Sequence, residues 1–109
     1  MSIPHNIDIL TPWEAIEGSE RSGLLSARLE SELPQKHVLH GLMVTAVAAR
    51  IDHDDVLFEV AGSEMPLAVV HMTWQKETDS RWPSTKLFRS WEHWVREDMQ
   101  PAHEDYECS

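Results

Sequence analysis

The sequence predicts an α+β domain: a three-stranded antiparallel meander with helices packed on one face, in the order helix, strand, strand, strand, helix. Three observations carry this. Leu25, Leu29 and Leu33 recur every four residues, the spacing of one helix face. From Leu42 the apolar period changes to two and holds, with polar breaks, as far as Trp74. After Ser90 the residues Trp91, Trp94, Val95 and Met99 return to helical spacing.

Each element has a local reason. Residues 1–10 mix polar and apolar types and read as a loose arm or a short edge strand. Thr11-Pro12-Trp13-Glu14 reads as a capping box opening a short helical turn, which Gly18 ends. Ser19 offers a second cap to the helix that carries Leu24, Leu25, Leu29 and Leu33, and Pro34 stops it. The first strand runs from Leu42 to Ala49; both of its alternating sets are apolar, so it belongs inside the sheet. Asp52-His53-Asp54-Asp55 is a turn, and Val56 to Ala61 is the second strand. The stretch from Gly62 to Pro66 turns the chain into the third strand, Leu67 to Trp74. Residues 75–86 form a polar loop long enough to suggest a role. Ser90 caps the last helix, Pro101 ends it, and residues 102–109 form a frayed acidic tail. Leu25, Leu29, Val44, Phe58, Val69, Trp91 and Trp94 are the expected core, joined by Trp74 at the end of its strand.

The whole chain, 1–109, suits a single domain. It contains no apolar run of transmembrane length, and its first residues lack a secretory pattern. The lone Cys108 supports neither an internal disulfide nor a multi-cysteine zinc site, and a cytoplasmic protein is expected.

The net charge is −10. Two stretches, Ile51 to Gln75 and Glu97 to Ser109, carry acids and no Lys or Arg. Such a surface does not suit nucleic acid or an anionic membrane, both of which call for clustered cations. It would attract a basic protein. Asp52, Asp54 and Asp55 are the candidate contacts, with Arg81 and Trp82 on the long loop. Trp82 lies in a polar segment, where a large ring is either a folded-back core residue or a binding anchor.

Catalytic signals are weak. His37 and His40 lie close together, but no second motif at zinc spacing follows, and the Asp-rich turn lacks a calcium loop. No metal site and no cofactor is expected. No phosphate loop and no nucleophile elbow occurs. His71 is the most interesting titratable group. On a core strand it should point inward and need a partner, which Thr73, Asp79, the Arg81 loop or Thr85 could supply. His71, Thr73 and Thr85 thus outline a candidate pocket, and His71 with Asp79 a conceivable acid–base pair.

Val69-Val70-His71-Met72-Thr73-Trp74, then Arg81-Trp82-Pro83-Ser84-Thr85, then Trp91 and Trp94, resembles a group of small bacterial proteins with no settled activity. The likeness spans about residues 40–103. It implies a bacterial, single-domain, cytoplasmic protein and transfers no catalytic residue.

Two functions follow as expectations. The first is a non-enzymatic acidic module, such as an immunity-type protein or another small inhibitor, that binds a basic protein partner. The second is a small-molecule-binding domain or enzyme built on the 75–85 loop and His71.

Overall fold

The structure, a computed structural model, describes residues 3–108. Five strands form one sheet: β1 (Trp13–Ala15), β2 (Val44–Arg50), β3 (Asp55–Val60), β4 (Leu67–His71) and β5 (Thr85–Phe88). Each pairs antiparallel with the next, in the spatial order β1-β2-β3-β4-β5. Helix α1 (Glu20–Glu32) connects β1 to β2. The C-terminal helical run comprises α2 (Trp91–Trp94), a π-turn (Val95–Met99) and α3 (Gln100–Cys108).

The α+β class holds, but the three-stranded meander does not. Both edges of the sheet were missed. The segment read as a capped helical turn is β1, with Trp13 opposite Arg50 and Ala15 opposite Ala48. A capping box stabilises by only about 1 kcal/mol. Here the competing strand buries Trp13 edge-on against Trp94, with ring centroids 5.4 Å apart. Burial of a ring that size outweighs the cap. The other missed edge, β5, lies at the end of the segment read as a loop. Its four residues are too few to display a period.

The helices cover opposite faces of the sheet, not one. Leu25, Leu29 and Leu33 of α1 and its C-terminal boundary pack with Val44, Ala46, Phe58, Val70 and Met72. Trp94 and Met99 pack on the other face with Trp13, Val47, Leu57, Leu67, Val69 and Phe88. This explains why β2 is apolar on both sides. A bulge at Val47 also shifts the register between Ala46 and Ala48, which turns Val47 and Ala48 toward the same layer.

Helix α1 starts where expected: the Ser19 hydroxyl accepts the Ser22 N–H at 3.2 Å. Two serines on its inner side serve the sheet. The Ser22 hydroxyl donates to the Ala46 carbonyl at 2.6 Å, and the Ala46 N–H donates to the Ser26 hydroxyl at 2.9 Å. They satisfy the edge of β2 beyond the reach of the three-residue β1.

At the C-terminus Ser90 caps α2 as expected, accepting the His93 N–H at 3.0 Å. Pro101 does not end the helix, and the stretch read as a frayed tail is helical to Cys108. The π-turn is the reason. Its wider winding closes with Gln100 N–H on the Val95 carbonyl, immediately before the proline. That relieves the clash a proline ring would make one turn back in a regular helix. Of the expected core residues, Leu25, Leu29, Val44, Phe58, Val69 and Trp94 are buried, Trp91 is only partly buried and Trp74 is exposed. Among the described residues, no helix is long and apolar enough to cross a membrane.

Candidate functional site

The topology brings the sequence-predicted residues to one end of the sheet. The β2–β3 turn, carrying Asp52 to Asp54 and leading into Asp55 at the start of β3, and the β4–β5 loop, residues 72–84, emerge side by side. The Met72 N–H donates to the Asp54 carbonyl at 2.9 Å and joins them.

The acidic turn is partly self-neutralised. Arg50 grips Asp52 with two bonds of 2.9 Å, and this hydrogen bonding holds the Asp52 carboxyl below its usual range. Asp55 takes His71 Nδ1 at 2.8 Å. Asp54 is exposed. On the loop Arg81 is chelated by Asp79 at 2.6–3.1 Å, which pulls the Asp79 carboxyl down to about 2.

His71 is exposed, a correction to the inward orientation expected from its strand. It does lie on the same side of β4 as the buried Leu67 and Val69. But it is the last residue of the strand, at the margin of the layer packed there. Its partner is Asp55, directly opposite on β3, and not Asp79 or a threonine. Asp55, Val69, His71, Ser84, Lys86 and Asp98 line a cavity of about 230 Å³. Burial pushes the Asp98 carboxyl up, while the Lys86 ammonium pulls it back.

Thr73 and Thr85 do not join this cavity's lining. Thr73 Oγ1 lies 3.5 Å from both Glu32 Oε1 and the Gln75 carbonyl. Thr85 donates to the Pro83 carbonyl at 3.0 Å and lies 3.2 Å from His37 Nε2. Both instead belong to a frame that holds the long loop against α1 and the segment after it.

That frame has three ties. The Arg28 guanidinium donates to the Trp74 carbonyl and, through Nε, to Glu32 at 2.6 Å. The Glu32 carbonyl accepts the Glu77 N–H at 3.1 Å. His37, only 5% exposed, accepts the Leu39 N–H on Nδ1 at 3.0 Å. This fixes the proton on Nε2, which donates to the Pro83 carbonyl at 2.9 Å.

What the frame leaves outside is aromatic. Trp74 and Trp82 are each 46% exposed. Trp74 was expected in the core. Its backbone has φ of +61°, a left-handed conformation that turns the chain out of the sheet and carries the ring with it.

In the sequence His37 stands out only as half of a His37–His40 pair without further metal ligands, and Glu32 not at all; the Pro83 carbonyl and Thr73 hydroxyl they meet lie more than 40 positions away. Among the described residues no group of three or more His, Cys, Asp or Glu side chains is placed to hold a metal ion. No protein-family model, no curated protein and no solved structure matches the chain.

Proposed function

We propose that the protein is a non-enzymatic acidic module that binds a basic protein partner at this end of the sheet, as an immunity-type protein or other small inhibitor does. One observation carries the reading. Two tryptophans stand half-exposed on a loop whose backbone is tied down by Arg28, Glu32 and His37. A loop whose backbone is already held loses less entropy on contact, and tryptophan is enriched among binding anchors. Asp54 and the net charge of −10 supply attraction for a basic surface. The resemblance to small bacterial proteins enters on the same footing: its Val-Val-His-Met-Thr-Trp and Arg-Trp-Pro-Ser-Thr segments contribute much of the frame. The proposal includes a cytoplasmic location.

The test is capture from a bacterial lysate on the immobilised protein, followed by the same capture on Trp74→Ser and Trp82→Ser. A basic protein retained by the wild type and lost from both variants supports the reading. Equal retention by all three counts against it.

A second reading has its own observation. The Asp55–His71 pair opens onto the 230 Å³ cavity beside Ser84 and Lys86, a polar setting for a small molecule. It predicts saturable binding of a metabolite that His71→Ala abolishes while both tryptophan variants retain it.

A further inference from the structure

A basic pocket lies at the far end of β5 from the long loop. Arg89, Ser90, His93 and Arg96 line a concavity of about 460 Å³ where the chain leaves β5 and enters α2. In a chain of net charge −10 this lining holds two arginines and a histidine and no acid. Glu92 and Glu97 adjoin it in sequence, but neither lines it.

The two arginines are free to take a ligand. Of the six in the chain, Arg21, Arg28, Arg50 and Arg81 each meet a carboxylate at 2.6–3.4 Å. Arg96 reaches Glu97 only at 4.0 Å, with both side chains exposed, a contact that contributes little. Arg89 is exposed, and among the described residues its guanidinium has no carboxylate partner. His93 is already oriented. Its Nδ1 accepts the Arg89 N–H at 3.1 Å, and its ring packs edge-on against the buried Phe88 with centroids 5.2 Å apart. The proton therefore sits on Nε2, a donor that no described residue takes. The Ser90 hydroxyl accepts the His93 N–H at 3.0 Å and keeps its own proton to donate.

We propose that this pocket binds a phosphate monoester group, with Arg89 and Arg96 as counter-ions and His93 and Ser90 as further donors. Guanidinium forks match phosphate oxygens, and a dianion with three terminal oxygens accepts from two forks, an imidazole and a hydroxyl together. A carboxylate has two oxygens in one plane and a single charge, so it satisfies fewer of these donors. An extended polyanion would be repelled by the acidic remainder of the surface, whereas a single phosphate group meets the local cations.

The experiment titrates methyl phosphate into the isotopically labelled protein at constant ionic strength and about pH 7.5, where the ester is mainly dianionic. Saturable backbone amide shifts centred on Arg89, Ser90, His93 and Arg96 are expected, and acetate should not reproduce them. Arg89→Gln and Arg96→Gln should each weaken binding by about tenfold or more, the scale of a hydrogen bond to a charged group. Both positions are exposed, so the variants should fold normally, which unchanged amide shifts elsewhere in the sheet would verify. Arg21→Gln removes the same charge from an exposed position on α1, over the other face of the sheet, and should leave the affinity unchanged. A parallel titration with N-acetyl-O-phosphoserine amide distinguishes the source of the phosphate. Binding of both compounds admits phosphorylated side chains, and binding of methyl phosphate alone restricts the site to small esters. No saturable shift with methyl phosphate, equal response to acetate, unchanged affinity in Arg89→Gln or Arg96→Gln, or an equal loss in Arg21→Gln would each overturn the proposal.

Discussion

His37 joins two distant segments with one ring, and its substitution is the sharpest residue-level test. His37→Ala leaves the Leu39 N–H without its partner and the Pro83 carbonyl with the Thr85 hydroxyl alone. Urea melts should show a loss of about 1–3 kcal/mol. The exposed neighbour His40 should cost less than about 0.5 kcal/mol when truncated. Equal effects would remove His37 from the frame. Asp98 gives a pH-dependent test. Its carboxyl is raised by burial, so its favourable contribution is full below the unfolded value and is lost as pH rises through the folded one. Asp98→Asn should therefore be more stable than wild type at neutral pH, and the gap should close below the ordinary value of 3.8. A gap that widens on acidification would contradict the assigned direction. At this scale the sequence is readable where packing decides and silent where partners are remote. Leu29 and Phe58 follow from periodicity and are fully buried. The orientation of His71 turned on where the layer over its face stops, which period-two patterning does not encode.

At the scale of elements, α1 does two jobs. Its apolar stripe fills one layer of the core, and its last turn anchors the long loop through Arg28 and Glu32. Arg28→Ala should loosen the loop without melting the helix. Hydrogen exchange at the Glu77 amide, bonded to the Glu32 carbonyl, should speed up by roughly fivefold, the equivalent of about 1 kcal/mol of local stability. Exchange at the Leu57 amide, in the central strand, should not change. If both amides respond alike, the variant has lost global stability and the loop is not held separately. The caps at Ser19 and Ser90 were legible because capping is local chemistry. The edge strands were not. Trp13–Ala15 and Thr85–Phe88 are defined by the neighbours they pair with, and three or four residues carry no period. Pro101 was not legible for a related reason: its tolerance depends on the π-turn immediately before it, a winding set by packing and not by a local residue pattern.

For the whole molecule, covering both sheet faces consumes the amphipathic helices and leaves the turn end as the place where two tryptophan rings, Trp74 and Trp82, meet solvent. Charge acts there at longer range than contact. Asp52 and Asp55 are engaged by Arg50 and His71, so little of their charge is free for a close ion pair with a partner. They still count toward the field, which depends on the net charge and is screened over about 8–10 Å at physiological salt. Replacing Asp52, Asp54 and Asp55 with asparagine removes three of the ten net negative charges. With a basic partner in hand, association at low salt should slow by roughly threefold to tenfold, and dissociation should change less. The slowing should fade at high salt. Trp82→Ala should do the reverse, raising the dissociation rate by about tenfold or more while leaving association and its salt dependence nearly intact. Stopped-flow kinetics at two ionic strengths separate the outcomes. Salt-independent association, indifferent to the triple substitution, would mean that the acidic surface serves solubility alone and that the tryptophans recognise a partner without electrostatic steering.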